Sequence, residues 1–338
     1  MMFMWWLAII GVLVLLAAAV DLIWTTLGTH GGGPLSGPLT NFVWAVARRA
    51  ARGHHRLLSF AGSFILGVLL LFWVMLTWTG WALVFISARE ALIDAKTHAP
   101  AGAIERIFFV GSSMFTSGTA EYNPKGHAWH LAAAGCAGSG LFVVTMSITY
   151  IMSVLAATVE KRALGSYVWD LGATPERIIE RMWDGEQFED LHTHLNQFVV
   201  AIELFGEQNL AYPILEFFHS ENRRTAEPLR IAAMLETLIL LREGVLESVR
   251  PSRLVLLTAI DAIRGLGTVV ESEFVDAAAV PPPPPDIGIL HRLNIPARPE
   301  PEFVQRVSQY QEVRRRLLGL IEKAGWSWSD VFSTKFHA

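Results

Sequence analysis

The sequence has a single cysteine, Cys136, among its 338 residues. An intrachain disulfide is therefore excluded, and so is a metal site built from several thiolates. Charged residues are scarce at 17%, and a net charge of −4 with a pI near 6.3 argues against a nucleic-acid partner. Gly-rich phosphate loops, nucleophile elbows and zincin motifs are absent from the sequence. We therefore expect neither an enzyme nor a cofactor.

Apolar residues are abundant where charge is scarce, in the first half of the chain. Three runs, from about Phe3 to Leu27, Leu57 to Ser87 and Trp129 to Val159, exceed the roughly 20 residues that cross a bilayer. No Lys or Arg precedes the first run, which is longer than a signal-peptide core, so we interpret it as a retained span. Tryptophans near the ends of the runs are typical of interfacial belts, although they are equally compatible with packing: Trp5, Trp6, Trp24, Trp78, Trp81 and Trp129. The sequence predicts three transmembrane helices in contact with lipid.

Basic residues in the short loops predict the orientation of these spans. The segment after the first span carries four arginines and no acidic residue, and two basic residues follow the third span: Arg48, Arg49, Arg52, Arg56, Lys161 and Arg162. We therefore expect the N-terminus and the Ala88–Ala128 loop outside, with everything after Ala163 in the cytoplasm. Asp21 is the one acidic residue of the first span. Because it lies near the predicted cytoplasmic end, we favour contact with headgroup water over an intramembrane role.

The Ala88–Ala128 loop contains a helix-compatible run, Ala103–Phe115, that is too short to span a bilayer. The polar stretch FTSGTAEY, residues 115–122, follows it. A short helix entering the membrane and irregular backbone returning are tolerated only where they are buried in protein or line a water-filled path. The order span, short helix, small-residue loop, span is therefore typical of a pore. An ordinary external loop with an interfacial helix is the alternative.

This order resembles the two-helix pore module of tetrameric potassium channels, and in particular bacterial proteins with one extra N-terminal span. The resemblance covers about Leu57–Arg162, with Leu57–Ser87 as outer helix, Ala103–Phe115 as pore helix and Trp129–Val159 as inner helix. It implies an all-α membrane protein with three transmembrane helices and a re-entrant pore helix. It also implies a homotetrameric pore in a bacterial inner membrane, with K⁺ or Na⁺ as permeant ions and a helical cytoplasmic domain.

The filter of such channels reads TVGYGD, and its backbone carbonyls replace the water shell of the ion. Aligned with it, the filter residues of this chain are Thr116, Ser117, Gly118, Thr119 and Ala120, followed by Glu121 at the outer mouth. Only Thr116 and Gly118 match the family motif. Ala120 replaces a glycine and must bear left-handed backbone strain or relax out of it. Thr119 lacks the aromatic ring with which the family braces the filter.

These departures predict a wider filter with weak preference for K⁺, in which Glu121 concentrates cations. A solvated loop carboxylate is the alternative for Glu121. For the whole chain, the alternative is a non-conducting pseudo-channel that acts as a sensor or scaffold through its cytoplasmic domain.

The predicted inner helix contains candidates for gating and for lining the pore. Gly140 is the gating-hinge candidate because of its spacing from the filter, and helix packing is its alternative role. Hydroxyl residues further along are candidates to line a cavity or to make hydrogen bonds inside a helix bundle: Thr145, Ser147, Thr149 and Ser153.

We expect four regions: 1–56 with the first span and a cytoplasmic linker, 57–162 as pore module, 163–280 as helical domain, and 281–338. Thr174 and Pro175 predict a helix start, as N-cap and first helical residue. Pro281–Pro285 predicts a polyproline spacer. Glu302–Ala324 follows as one amphipathic helix, with a basic patch at Arg314–Arg316.

Histidines in the helical domain offer a competing chemistry. His192, His194 and His219 lie near acidic residues in the sequence: Glu189, Asp190 and Glu216. Imidazole and carboxylate groups are common metal ligands. On a helix, however, the rings of His192 and His194 point about 200° apart, so they cannot bind one ion together. We expect no metal site, and the roles of the three histidines and the ligand of this domain stay open.

Overall fold

A computed structural model describes residues 4–28, 32–51, 55–188, 190–273 and 277–334. The first elements are α1 (Trp5–Leu27), α2 (Ser36–Ala51), α3 (His55–Ile86), β1 (Leu92–Asp94), α4 (Ala103–Met114), β2 (Tyr122–Pro124) and α5 (His127–Leu171). They are followed by α6 (Pro175–Met182), α7 (Leu191–Ala211), α8 (Glu227–Ile239), α9 (Arg253–Glu273), α10 (Gly288–Arg292), α11 (Glu300–Val307) and α12 (Gln311–Lys323). A π-helix (Leu240–Gly244) extends α8, and 3-10 helices cover Pro213–Phe217, Ser308–Tyr310 and Trp328–Phe332.

The chain divides into two compact units. The first unit comprises residues Met1–Ala45 and Ser63–Val154, and the second comprises Val46–Gly62 and Leu155–Ala338. Helices α3 and α5 each contribute residues to both units. The predicted borders at residues 56 and 162 fall inside these two helices, near the unit borders after Gly62 and after Val154.

Three helices in the described part of the chain are long and apolar enough to cross a membrane: Trp5–Leu27, Phe60–Ile86 and His127–Leu171. They confirm the three predicted spans, although Phe3 lies outside the described residues. The third helix continues past the expected end at Val159, through Lys161 and Arg162, to Leu171. The prediction of a mainly α-helical membrane protein is thus confirmed. The sheet of β1 and β2 was not expected.

Of two short helices in the first half of the chain, one was predicted from the sequence and the other was not. The run predicted as Ala103–Phe115 is helical over Ala103–Met114, with Phe115 as C-cap, so this prediction is confirmed to within one residue. Residues 28–56, expected as a linker, contain α2, which starts at Ser36 and carries Arg48 and Arg49 in its last turn. We did not predict α2, although Leu39, Phe42, Val43 and Val46 have the spacing of an apolar helix face. The N-terminus of α2 is fixed by a contact with α1 that is described below.

The second unit is built around α8. Every residue from Glu227 to Ile239 is buried, and α6, α9, α12 and the 3-10 helix Trp328–Phe332 pack around this helix. The predicted helix start at Thr174 is confirmed, since its side chain accepts a hydrogen bond from the N–H of Arg177 and Pro175 opens α6. Helix α8 is enclosed although it carries charged residues, and its two glutamates are paired within the unit: Glu227 with Lys161 and Glu236 with Arg314.

The C-terminal segment belongs to the same core as α8. Ile287, Phe303 and Val331 are buried in one cluster with the residues of α7, α8 and α9. The predicted helix Glu302–Ala324 is two helices, α11 and α12, separated by the 3-10 helix Ser308–Tyr310. Residue 280 is therefore not a boundary of packing, because the apolar face of this segment is buried against the helical unit.

The predicted basic patch is wrong for Arg314, which is 1% exposed. Its guanidinium binds both carboxylate oxygens of Glu236 at 2.7 and 3.0 Å and donates to the carbonyls of Pro282, at 3.0 Å, and Pro283. The polyproline stretch thus lies against α12 and is not a free spacer. Polyproline backbone has no internal hydrogen bonds, so its carbonyls are available to such a donor.

Candidate functional site

The predicted filter loop lies between α4 and α5, in a segment whose ends are joined by a sheet. Strand β1 pairs antiparallel with β2, with Leu92 opposite Pro124 and Asp94 opposite Tyr122. The N–H of Ala95 also donates to the carbonyl of Glu121 at 2.8 Å. The sheet therefore brings the chain after α3 close to the chain before α5. Helix α4 and the loop lie in the segment between these two strands.

Arg106 holds the N-terminal half of α4. Its buried guanidinium donates to the carbonyls of Ile86 at 3.3 Å, Arg89 at 2.7 Å and Ala101 at 2.6 Å. Ile86 is the last residue of α3. Because the last carbonyls of a helix have no partner within it, a cation there satisfies them and favours the helix end electrostatically.

The C-terminal half of α4 packs against α3 and α5. The indole N–H of Trp78 on α3 donates to the carbonyl of Ile107 at 3.1 Å. Gly140 on α5 approaches the backbone of Met114 so closely that a Cβ there would lie 2.3 Å from its carbonyl oxygen. A side chain at residue 140 is therefore excluded with α4 in this position. This contact supports the packing role of Gly140, and its role as a hinge stays a prediction.

The tryptophans separate into two groups. Trp78 and Trp81 bind protein groups, Trp81 through a 2.8 Å hydrogen bond to the hydroxyl of Ser139 on α5. Trp5, Trp6 and Trp24 are exposed near the ends of α1. The packing alternative therefore fits the α3 tryptophans, and the belt interpretation fits those of α1.

The loop begins as the C-cap of α4. The N–H of Thr116 donates to the carbonyl of Ser113 at 3.1 Å, and the N–H of Ser117 donates to that of Ser112 at 2.9 Å. This pair of bonds is a Schellman motif, with Thr116 in the left-handed position that glycine usually occupies. Thr116 has φ 54° there and Gly118 has φ 66°.

Strain in the loop thus falls on a residue that the sequence did not indicate. A β-branched residue at positive φ is a genuine outlier, and the left-handed conformation costs an L-residue about 1–2 kcal/mol. Ala120, for which we expected the choice between strain and relaxation, is not among the residues with positive φ. Ala120 has therefore relaxed, and the strained residue is Thr116.

Most of the loop is accessible in the single chain. Phe115, Thr116, Ser117, Gly118 and Ala120 are exposed, and Thr119 is half-buried. The side chain of Glu121 is exposed next to the sheet. The arrangement presents hydroxyls and one carboxylate to solvent just beyond the C-terminal end of α4. Such a helix end carries partial negative charge and attracts cations.

The hydroxyl residues of α5 lie on two faces. Thr145 and Thr149 are exposed and Ser153 is half-buried, and their four-residue spacing forms one stripe. The hydroxyls of Thr149 and Ser153 each donate to the carbonyl four residues earlier at 3.1 Å. Ser147 is buried away from that stripe, so it does not belong with the cavity-lining candidates.

The sequence interpretation of Asp21 is wrong, because this carboxyl is 0% exposed. Oδ1 accepts the N–H groups of Leu35 at 2.7 Å and Ser36 at 3.0 Å, while Oδ2 accepts the Ser36 hydroxyl and the indole N–H of Trp73 at 2.9 Å. The carboxyl thus caps the N-terminus of α2 and joins it to α1 and α3. Anionic groups at a helix start satisfy its free N–H groups.

The three histidines do not converge. His194 lies 3.2 Å from the hydroxyl of Tyr167, His192 lies 3.2 Å from the amide nitrogen of Asn196, and His219 stacks on Trp326. Glu189 lies outside the described residues. Elsewhere in the ranges that the structure covers, no group of three or more His, Cys, Asp or Glu side chains is arranged to hold a metal ion.

Comparison with known proteins finds a match over nearly the full length. The chain is 32% identical over 321 residues to the uncharacterized membrane protein YdjJ of Bacillus subtilis (strain 168), an alignment that covers 95% of this chain and 94% of that protein. No protein-family model matches the sequence, and no solved structure matches it. Identity of this level over nearly the full length of both chains shows that the two proteins are related. The three membrane-length helices of this chain agree with the description of that relative as a membrane protein. The chain therefore belongs to the YdjJ family of membrane proteins.

Proposed function

We propose that the protein is a homotetrameric pore-loop cation channel of a bacterial cytoplasmic membrane, with weak preference for K⁺ over Na⁺. Its ion path is formed by Thr116–Glu121 and, further along, by the α5 stripe of Thr145, Thr149 and Ser153. The observation that carries the proposal is the packing of α4. This short helix is held between two membrane-length helices, and its C-terminal end carries an exposed polar loop.

Two electrostatic features favour cations at that loop. The C-terminal end of α4 contributes about half a negative charge through its aligned peptide dipoles. The exposed carboxylate of Glu121 adds a full charge in each subunit, and fourfold assembly makes it a ring. Exposed hydroxyls on α5 then offer oxygen ligands along one face, where an apolar surface would repel ions.

Weak selectivity follows from the backbone of the loop. The N–H groups of Ser117 and Gly118 both donate to the carbonyl of Ser112, at 2.9 and 3.3 Å. This stretch is thus folded as a helix cap, and hydroxyls of Thr116, Ser117 and Thr119 must supply part of the ion coordination. Hydroxyls on rotatable side chains discriminate ion size less well than a fixed row of carbonyls.

The same cap favours the second candidate, a non-conducting pseudo-channel. The Ser112 carbonyl accepts a third hydrogen bond, from the Ser117 hydroxyl at 3.1 Å. If all three hydrogen bonds persist in the assembled protein, the loop stays folded against α4 and presents no row of inward carbonyls. The assembled protein then acts through its helical unit as a sensor or scaffold.

Planar-bilayer recording of the full chain distinguishes the channel from the pseudo-channel. The number of subunits is counted in nanodiscs. A channel gives cation current with a K⁺/Na⁺ permeability ratio near one under biionic conditions. Glu121→Gln should lower cation over anion preference, while Glu105→Gln at the opposite end of α4 should not. Intact tetramers without current support the pseudo-channel, and a stable monomer or dimer contradicts both.

The filter alignment has its own test. Thr119→Tyr combined with Ala120→Gly restores the family residues and should raise the K⁺/Na⁺ permeability ratio. An unchanged ratio in a conducting double variant would show that this loop is not the filter.

A further inference from the structure

The second unit contains a polar cavity of about 260 Å³ beside the end of α8. Four segments meet there: the π-helix Leu240–Gly244, the connection that carries Glu247 and Arg250, the first turn of α9, and the end of α11 with the following 3-10 helix. Four arginines line the cavity, namely Arg242, Arg250, Arg253 and Arg306. None of them belongs to the proposed ion path.

Positive charge is in excess around this cavity. The carboxylates of Glu243 and Glu247 also line it, so four arginines and two glutamates leave a surplus of two positive charges. Glu247 is 76% exposed and binds Arg250 at 2.9 Å from the solvent side. Arg253 is exposed and has no hydrogen bond or ion pair to another side chain within the described ranges. Its guanidinium is available to a ligand.

Glu243 is a structural acceptor of this cavity. Its buried Oε1 accepts the Tyr310 hydroxyl at 2.6 Å and the Gln309 amide at 3.3 Å, and it pairs with Arg242 at 3.1 Å. Burial, followed by this hydrogen bond, raises the pKa of Tyr310, so the phenol stays a donor. Its Oε2 also lies 3.6 Å from Arg306, which binds Glu302 at 3.1 Å. The Glu243 carboxylate is thus occupied by its neighbours and holds Arg242 and Arg306 at the cavity wall.

The π-helix explains why two consecutive residues reach the cavity. Its wider turn inserts a residue at the end of α8, where Arg242 and Glu243 both line the space. Single π-turns within α-helices occur frequently at functional sites. The carbonyl of Arg242 also accepts a hydrogen bond from Arg250 at 3.2 Å, which orients the second guanidinium.

We propose that this cavity binds a phosphate-bearing anion, held by the guanidinium groups of Arg250, Arg253 and Arg306. Guanidinium presents paired N–H donors that match two oxygens of one phosphate group. The surplus of two charges matches a phosphomonoester, which carries about −1.5 to −2 at neutral pH, better than it matches a single carboxylate. The free N–H groups of the first turn of α9 add favourable potential at Arg253.

The phosphate can belong to a soluble molecule or to a lipid headgroup, and both arms use the full chain. In the first arm, sodium pyrophosphate and ATP are titrated calorimetrically into protein in phosphatidylcholine nanodiscs. In the second, native mass spectrometry counts phosphatidic acid retained from nanodiscs that contain it. Binding in the first arm identifies a soluble ligand, and binding in the second alone identifies a lipid.

Variants test whether the bound phosphate occupies this cavity. Arg253→Gln with Arg306→Gln should weaken binding at least about tenfold, the effect of losing one charge-assisted hydrogen bond. Glu247→Gln should tighten binding because it removes a competing charge and releases Arg250. Arg177→Gln is the matched control, since Arg177 is an exposed arginine of α6 paired with Glu180, and it should leave binding unchanged.

The proposal fails if neither arm detects binding. It fails equally if binding survives the double variant, or if Glu247→Gln weakens it.

Discussion

Asp21 in the first unit and Arg314 in the second are both buried, but they bind different kinds of partner. Asp21 accepts two backbone N–H groups at the start of α2, and Arg106 in the same unit donates to three carbonyls around the end of α3. Arg314 instead forms a two-bond ion pair with Glu236. The main role of buried charge is thus to complete helix ends in the first unit and to pair distant side chains in the second, although Asp21 also binds Trp73 and Arg314 also binds the carbonyls of Pro282 and Pro283.

The two units use buried charge differently because different groups need partners in each of them. Short helices and turns between membrane-length helices leave backbone groups without partners, and an unpaired group in an apolar medium costs several kcal/mol. The second unit must fix a long C-terminal segment onto its core, and Arg314 lies 78 residues from Glu236. Lys161 combines both roles, because it pairs with Glu227 at 2.9 Å and donates to the carbonyls of Leu215 and Phe218.

The largest expected effect comes from breaking the pair of the second unit. Arg314→Met leaves Glu236 buried without its partner, and burial already raises the pKa of Glu236. Removing one member of a buried pair costs about 3–5 kcal/mol. The thermal unfolding midpoint of the full chain should fall markedly, and the polyproline stretch, having lost its donor, should become sensitive to protease.

A double replacement separates lost pairing from lost packing. Glu236→Leu in the Arg314→Met background removes the stranded carboxyl, so most of the stability should return. Arg177→Met, which affects only an exposed pair, serves as control. If Arg314→Met is as mild as this control, the contrast between the two units is wrong.

Asp21→Asn tests the corresponding group of the first unit. The remaining oxygen can still accept from Leu35 and Ser36, but the new NH₂ group faces the indole N–H of Trp73. A buried donor without an acceptor costs about 1–3 kcal/mol. Thermal unfolding should show this loss, and Trp73→Phe in the same background should recover part of it. An unchanged midpoint would return Asp21 to the headgroup interpretation.

Which features could be predicted from the sequence depends on how far apart in the chain the interacting residues lie. The three spans, α4 and the Thr174 cap rest on patterns within one segment, and they could be predicted. The partners of Asp21 lie 14 to 52 positions away, and the partner of Arg314 lies 78 away. Local composition therefore favoured an interfacial position for Asp21 and an exposed one for Arg314, and neither is correct. At the loop, the sequence indicated strain at Ala120, but the Schellman cap moved it to Thr116.

Two glycines of α5 provide a matched test of close backbone contact in the first unit. A Cβ at Gly140 would clash with the backbone of Met114, whereas nothing lies within 4 Å of one at Gly138. Gly140→Ala should therefore lower stability by about 2 kcal/mol through overpacking. Gly138→Ala should be neutral or slightly stabilising, because alanine favours helix. Equal midpoints for the two variants would mean that α4 does not rest on Gly140.

The smallest effect concerns Thr116, the non-glycine residue of the loop that has a left-handed backbone conformation. Thr116→Gly removes a β-branched side chain from φ 54°, so it should raise the free energy of unfolding by about 1 kcal/mol. Gly118→Ala is the reciprocal variant, because it introduces a side chain at φ 66° in open space and should lower stability by a similar amount. Thermal unfolding of both variants in nanodiscs measures the difference. If Thr116→Gly is stabilising yet abolishes cation current, the strain is maintained because its hydroxyl contacts the ion. If it is destabilising, the Schellman cap at the end of α4 is not the resting structure of the loop.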